Sequence, residues 1–276
     1  MNKITISKTL GFFAVFILAL FLYSMPSHAG TISFFEIRDD ANGGVCATAD
    51  SGAHSWDADS KTCTLGQDIS LHVTFSDNGL TLDCNGNTIQ GTGSNTGIII
   101  NNDKNIVVKR CTIDDWNTGI SASNRSSNLL IFKNEFTSNF IALNFNGVSN
   151  SKVIDNHADN TNTDSGFRFF ATKTTEIINN RSEALDTGFS LLEGSVSNRL
   201  IANSSTGAFV GFVLTFGSAR NEFIYNTATS HTGGVGFGFN LFESGREIYS
   251  NTIFPMEISL VLELMTIPII TLLKIT

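Results

Sequence analysis

The chain has 276 residues, of which 41% are hydrophobic and 15% charged, and its formal charge is −8 at pH 7. An acidic surface disfavours nucleic acid as a partner. Phe occurs 23 times against three Tyr and two Trp, which indicates a large apolar core that needs few polar partners for its rings.

Residues 1–29 have the pattern of a secretory signal. Lys3 and Lys8 precede an apolar run from Leu10 to Tyr23, and Ser27-His28-Ala29 has the small-x-small form of a cleavage site. The run is short for a membrane span, and an uncleaved anchor is the competing interpretation. Without this segment the chain has 15 basic and 25 acidic residues, a formal charge of −10. We expect a secreted or extracytoplasmic protein, in the periplasm or at a cell surface.

The four cysteines lie between residues 46 and 111, and in an exported chain they predict two disulfides. Cys46 with Cys63 would close a loop within an N-terminal entry segment, residues 30–80. Cys84 with Cys111 would connect the first coils of the repeat region that follows, although other pairings stay open. No metal site is predicted, because there is no Cys-x-x-Cys and no nearby pair of His residues.

From residue 81 to 252 the sequence repeats every 22–25 residues. Each unit contains an apolar pair, one variable residue and an Asn. These asparagines are Asn134, Asn156, Asn180, Asn203, Asn226 and Asn251, and Cys111 and Asn87 hold the same place upstream. Units this short, rich in β-branched and aromatic residues, favour stacked strands over helix pairs. The predicted fold is all-β, a single-stranded right-handed parallel β-helix of about seven to eight coils.

A second mark, a Gly that opens an alternating apolar run, follows each Asn by about eight to ten residues. Alignment on this Gly predicts two inward columns, with Phe140 replacing Gly in the third unit. The first column is Ile98, Ile120, Ile141, Phe167, Phe189, Phe212 and Phe237, and the second is Ile100, Ala122, Leu143, Phe169, Leu191, Leu214 and Phe239. The asparagines predict a ladder of stacked amides at a bend.

One further apolar column does not fit the alternation. It consists of Phe132, Ile154, Ile178, Ile201, Ile224 and Tyr249, each beside an inward residue. Either the bend turns both neighbours inward, or the solenoid carries an exposed apolar stripe.

Residues 45–90 carry a recognisable entry pattern. Cys46, Trp56-Asp57 and Lys61-Thr62-Cys63-Thr64-Leu65 precede the run Leu80-Thr81-Leu82-Asp83-Cys84-Asn85-Gly86-Asn87-Thr88-Ile89. This resembles secreted parallel β-helix repeat proteins of the NosD-like branch of the pectin-lyase-like superfamily, whose first coil reads LDxNGHTI. The resemblance extends to about Asn251 and implies the fold. The family includes polysaccharide lyases, hydrolases, epimerases, a copper-site maturation protein and surface proteins, so no single activity is implied, and Asn87 replaces the usual His.

One outward column brings an acid, an imidazole and a guanidinium together. The residues after three successive ladder asparagines, about 5 Å apart, are Glu135, His157 and Arg181. Polysaccharide cleavage needs a base with calcium-binding carboxylates, or paired carboxylates, so we take these three as catalytic candidates. The binding candidates on adjoining turns are Asp159, Glu183 and Asp186. A solvated face whose charges pair across coils is the favoured interpretation. No cofactor is expected, with calcium as the alternative.

The repeat stops after Asn251, and residues 253–276 contain neither Gly nor Asn. Pro255, Glu257, Glu263 and Pro268 interrupt the apolar stretch, which disfavours a transmembrane helix. The segment is either a cap on the last coil or the product of an altered reading frame or truncated gene.

These observations favour a non-enzymatic extracytoplasmic protein that binds a polysaccharide or an envelope component along one side of the β-helix. The alternatives are a carbohydrate-active enzyme, lyase-like or hydrolase-like, that uses the Glu135 column, and a structural surface spacer. A membrane is expected as a partner only through the signal or the C-terminal tail.

Overall fold

The computed structural model of the protein describes residues 34–159, 165–184, 186–215, 217–229, 237–242 and 248–251. The predicted signal, residues 1–29, and the atypical tail, residues 253–276, lie outside these ranges. The described part is an all-β solenoid of about seven turns, which confirms the predicted fold class. Its helical content is one 3-10 turn, Ala49–Gly52, and no helix in the described ranges is long and apolar enough to cross a membrane.

Three sheets run along the solenoid, and all strand pairs but one are parallel. Sheet A contains β1 (Phe35–Ile37), β4 (Val73–Phe75), β7 (Thr96–Asn101), β10 (Thr118–Ser123), β13 (Ile141–Asn146), β16 (Ser165–Phe170), β19 (Thr187–Leu192), β22 (Val210–Thr215) and β25 (Phe237–Phe242). Sheet B contains β2 (Ser55–Asp57), β3 (Thr62–Thr64), β5 (Thr81–Asp83), β8 (Val107–Lys109), β11 (Leu130–Phe132), β14 (Lys152–Ile154), β17 (Glu176–Ile178), β20 (Arg199–Ile201), β23 (Asn221–Ile224) and β26 (Ile248–Asn251). Sheet C contains β6 (Thr88–Gln90), β9 (Thr112–Asp114), β12 (Glu135–Thr137), β15 (His157–Asp159), β18 (Arg181–Ser182), β21 (Ser204–Thr206) and β24 (Thr227–Thr229).

The entry segment contributes strands to these sheets. β1 and β4 stack at one end of sheet A, and the antiparallel hairpin of β2 and β3 begins sheet B. Cys46 is bonded to Cys63, and Cys84 to Cys111, as predicted. Two disulfides are compatible with an extracytoplasmic protein.

Asp83 is a buried charge between the first coils. Its carboxylate accepts hydrogen bonds from Arg110 Nε at 2.8 Å and Nη2 at 2.5 Å, and Lys109 Nζ lies 3.2 Å away. Burial alone would raise the pKa of this carboxyl. The hydrogen bonds from Arg110, the Asn85 N–H and Lys109 outweigh burial, so the pKa of Asp83 is lowered.

The inward positions of sheet A form a continuous stack of aromatic rings in the later coils. The ring of Phe189 lies 4.9 Å, centroid to centroid, from both Phe167 and Phe212, and Phe212 lies 4.7 Å from Phe239. Phe136 and Phe223, on sheets C and B, meet this stack edge to face. The phenylalanine-rich composition therefore fills the solenoid with rings that need no polar partner.

Two coils of sheet A are displaced by two residues from the predicted alignment. Ile120 pairs with Leu143 rather than Ile141, and Phe212 pairs with Phe239 rather than Phe237. Ala142 therefore takes the Gly place in the third coil, and Phe140 is 48% exposed. Because side chains alternate with period two, a shift of two residues keeps the same face inward, so the hydrophobic pattern could not reveal it.

The predicted Asn ladder is present at the bend between sheets B and C. Asn134, Asn156, Asn180, Asn203 and Asn226 are buried, and each of the first four donates its backbone N–H and its Nδ2 to Oδ1 of the next, at 2.9–3.0 Å. Asn251 does not continue it, because β26 pairs Asn251 with Ile224. A second, shorter ladder joins Asn198 to Asn221 between sheets A and B, which the sequence analysis missed.

The unassigned apolar column is an outward stripe on sheet B. Phe132, Ile154, Ile178, Ile201 and Ile224 are partly exposed, whereas their neighbours Ile131, Val153, Ile177, Leu200 and Phe223 are buried. The second of the two alternatives is therefore correct for these residues: the alternation continues to the bend and leaves the stripe on the surface.

Candidate functional site

The predicted catalytic candidates lie on the outer surface of sheet C. β12, β15 and β18 pair in register, which places Glu135 opposite His157 and His157 opposite Arg181. The residue after each of them, Phe136, Ala158 or Ser182, is buried, so alternation directs the candidates outward. The short bend at the Asn ladder fixes this register from coil to coil.

The candidates are joined by close polar contacts. His157 Nδ1 lies 2.8 Å from Glu135 Oε2, and His157 Nε2 lies 3.1 Å from Glu183 Oε1. Arg181 Nη2 lies 2.6 Å from the same Glu183 oxygen. A neutral imidazole has a single N–H, so both ring nitrogens donate to carboxylates only in the imidazolium form.

The other two binding candidates are less closely associated. Asp159 is exposed at the end of β15, opposite Thr137 of the preceding coil. Asp186 accepts a hydrogen bond from Thr187 at 3.1 Å and, among the described contacts, does not join the His157 group. In the described residues no group of three His, Cys, Asp or Glu side chains is arranged to hold a metal ion.

The sheet C cluster is therefore a network of mutually paired polar side chains. Glu183 contacts both His157 and Arg181, and Glu135 contacts His157, so a carboxylate lies at each ring nitrogen of the imidazole. A general base needs a lone pair directed at substrate, and both ring nitrogens are directed at Glu side chains instead. This geometry fits a stabilising surface network better than a poised acid–base pair.

A second site, not found from the sequence, lies at the end of the sheet A strands. It is an open cleft with a volume of about 590 Å³. Its lining residues are Asn101, Asn102, Asn124, Arg125, Asn146 and Gly147. This volume is within the range of small-molecule and sugar sites, but the lining is unusually rich in amides.

Turn chemistry explains why asparagines gather here. Asn102, Asn124, Arg125 and Gly147 have positive φ values of 55–69°, at the turns where the chain leaves β7, β10 and β13. Asn and Gly tolerate this conformation best. The turns of successive coils stack on one another, so their amide side chains come together: Asn124 Nδ2 donates to Asn101 Oδ1 at 2.5 Å.

Two charged residues of opposite sign lie at these turns. Asp103 accepts a hydrogen bond from the N–H of the cleft residue Asn101 at 2.8 Å, and burial raises the pKa of its carboxyl. Arg125 is exposed, and no described residue forms an ion pair with it. The guanidinium is therefore available to an anionic group in the cleft.

The sequence contained a signal for this cleft, namely the run of asparagines at positions 101, 102, 124 and 146. The period alone did not reveal it, because two of these residues end strands and two lie in turns. Their proximity depends on the register of the coils.

Comparison with known proteins gives one match to a family model. Residues 96–253, more than half of the chain, match the model described as right handed beta helix region. A search among curated proteins finds no match to this chain.

Proposed function

This chain belongs to the right-handed β-helix family, and we propose that it is an extracytoplasmic binding protein whose sheet A cleft takes a polysaccharide. The observation that carries the proposal is the amide-lined cleft of about 590 Å³ with exposed Arg125 at its wall. The two disulfides support an oxidising location, and the signal pattern of residues 1–29 supports export.

The chemistry of the cleft suits a hydroxyl-rich ligand. Each Asn amide offers two donors and an accepting oxygen, which complement hydroxyl groups that both donate and accept. Asn101, Asn124 and Asn146 come from three successive coils, about 4.8 Å apart, although Asn101 pairs with Ser123 rather than with Asn124. An extended polymer with closely spaced hydroxyls can therefore contact an amide from each coil. The site therefore favours a chain ligand over a single small molecule.

The positive charge of Arg125 indicates that the ligand is negatively charged. A guanidinium binds a carboxylate through two parallel hydrogen bonds, and the rest of the protein is acidic. A polysaccharide that contains uronic acids would gain this contact, whereas a neutral one would bind through the amides alone. We therefore propose acidic polysaccharides of the envelope or its surroundings as the ligand class.

The test is a panel of acidic and neutral polysaccharides, measured for binding and for release of reducing or unsaturated ends, with and without calcium. We expect binding without cleavage, weakened at least about tenfold by Arg125→Gln for acidic ligands and by Asn146→Ala for both kinds. The matched control is Asn144→Ala, an Asn of the same strand outside the cleft lining. Binding that neither cleft variant changes would overturn the proposal.

The enzyme alternative rests on the imidazole of His157 between two carboxylates. It predicts released ends in the same panel, lost with His157→Ala or Arg181→Ala and retained with Asn146→Ala. Cleavage with that pattern would replace binding by catalysis as the function, and would assign it to sheet C.

A further inference from the structure

The outer surface of sheet B carries two parallel columns of side chains. One is the apolar stripe already described, of which Ile154, Ile178, Ile201 and Ile224 occupy four successive coils. The other lies two residues earlier in each strand and is fully charged: Lys152, Glu176, Arg199 and Glu222. Nothing in the fold itself requires partly exposed isoleucine in four coils running.

The charges of the second column alternate in sign. Lys152 Nζ lies 3.0 Å from Glu176 Oε2, Arg199 Nη1 lies 3.2 Å from Glu176 Oε1, and Arg199 Nε lies 2.8 Å from Glu222 Oε2. The four side chains keep 57%, 30%, 46% and 37% of their surface exposed, so each can form further contacts. The ion pairs with Lys152 and Arg199 also hold the pKa of Glu176 below its usual value.

We propose that this face of sheet B binds a second copy of the chain in an antiparallel, two-fold arrangement. The two-fold axis would lie in the interface, parallel to the strands, midway between the coils of Glu176 and Arg199. This rotation places the charged column opposite the charged column of the second copy and the apolar stripe opposite its apolar stripe. The coils of the second copy then run in the opposite direction along the solenoid. Lys152 then faces Glu222 of the second copy, and Glu176 faces Arg199, so all four positions meet an opposite charge.

The same operation matches the apolar stripe. Ile154 meets Ile224 of the second copy, and Ile178 meets Ile201, so four isoleucines from each copy cover one another. The stripe supplies hydrophobic contact, and the charges select the register.

Neighbouring arrangements are disfavoured by like charges. A shift of the axis by half a coil spacing, onto Glu176, places Lys152 opposite Arg199 and Glu176 opposite its own copy. A two-fold axis that runs along the charged column gives parallel solenoids and places every charged residue opposite the same residue of the second copy. Like charges placed opposite one another disfavour both of these arrangements, and only the axis midway between Glu176 and Arg199 pairs all four charges of each copy with opposite charges.

The size of the face sets the expected affinity. Four coils extend about 19 Å along the solenoid, which gives a few hundred Å² per partner against about 800 Å² in a standard interface. We therefore expect a weak, reversible dimer that forms in the micromolar range or above, and that leaves the sheet A cleft free. The proposal does not depend on the proposed ligand.

The test is sedimentation velocity of the purified protein over a concentration series from low micromolar to sub-millimolar. We expect a monomer–dimer equilibrium whose dissociation constant rises at least about tenfold with Lys152→Glu or Glu222→Lys. The contact between positions 152 and 222 occurs twice in the dimer, and each variant places like charges at both contacts. Ile178→Asp should have a similar effect through the stripe. Lys104→Glu, the same charge change at an exposed position outside this face, is the matched control and should leave the equilibrium unchanged.

An equimolar mixture of the two charge variants gives the decisive measurement. In a mixed dimer Glu at position 152 faces Lys at position 222, and Lys152 of the other chain faces Glu222, so both pairs are complementary again. We expect the mixture to dimerise while neither variant does so alone. A wild type that stays monomeric over the whole series, an equilibrium unaffected by the variants or shifted equally by Lys104→Glu, or a mixture that stays monomeric would each overturn the proposal.

Discussion

Replacement of a central ladder residue, Asn180→Ala, tests the Asn ladder as the device that fixes coil register. Asn180 Nδ2 donates to Val153 O at 2.8 Å and to Asn203 Oδ1 at 3.0 Å. Its Oδ1 accepts from the N–H and the Nδ2 of Asn156, both at 2.9 Å. The substitution removes these four bonds from a position that is 1% exposed. The Asn156 N–H then has no described acceptor.

The expected loss follows from the number of bonds. Three of the four bonds contribute about 1 kcal/mol net each, and loss of the fourth leaves the buried Asn156 N–H unpaired at a cost of about 1–3 kcal/mol, so we expect the free energy of unfolding to fall by about 4–6 kcal/mol. For a domain of this size, each kcal/mol shifts Tm by about 2–4 °C. A drop of at least about 8 °C should therefore be measurable.

The assay is urea and thermal unfolding followed by circular dichroism, with the disulfides kept oxidised. Asn144→Ala, on the outward face of β13, is the control and should change stability by no more than about 0.5 kcal/mol. If Asn180→Ala were as mild as this control, the amide ladder would not be a major source of stability, and the reasoning would be refuted.

Two further predictions concern the first coils. The folded-state pKa of Asp83 is lowered below its usual value, so the stability that its carboxylate contributes is present above that usual value and is lost as the pH falls through the folded pKa. The Tm difference between wild type and Asp83→Asn should therefore narrow on acidification, and a difference independent of pH would contradict this. Replacement of Cys84 and Cys111 by Ser should lower the free energy of unfolding by about 2–4 kcal/mol. Reduction of wild-type protein should lower it further, because reduction also opens Cys46–Cys63. Unchanged stability of the variant would contradict a structural role for the Cys84–Cys111 disulfide.

The alignment succeeded at the bend and failed in sheet A for different reasons. The bend at the Asn ladder has the same length in successive coils from Asn134 to Asn226, so counting from one Asn to the next gave the correct register there. The connection from sheet C has three residues before β13, as it has before β10, but Ala142 stands in the Gly place, so the Gly mark was misplaced by two residues at Phe140. Before β25 the connection is longer, residues 230–236, and the mark was misplaced by two residues at Gly236, which lies outside the described residues.

The candidate site shows a different limit. Spacing alone placed Glu135, His157 and Arg181 in one column, and the strand pairing agrees with that placement. Spacing did not predict that His157 has a carboxylate at each ring nitrogen, because this depends on side-chain conformation and on Glu183, which follows Arg181 by two residues. Whether the cluster or the cleft acts on a ligand stays a prediction.

The sequence by itself determined the fold class, the coil length and the buried ladder, and it indicated two disulfides, whereas the structure decided which cysteines pair. This was possible because a solenoid repeats one local structure, so equivalent residues of successive coils have the same surroundings and show the same sequence pattern. The tertiary structure decided which residues of different coils meet at the surface. The amide-lined cleft and the self-complementary face of sheet B depend on exact register and on the outward direction of side chains, and period-two alternation leaves the register undetermined by steps of two residues.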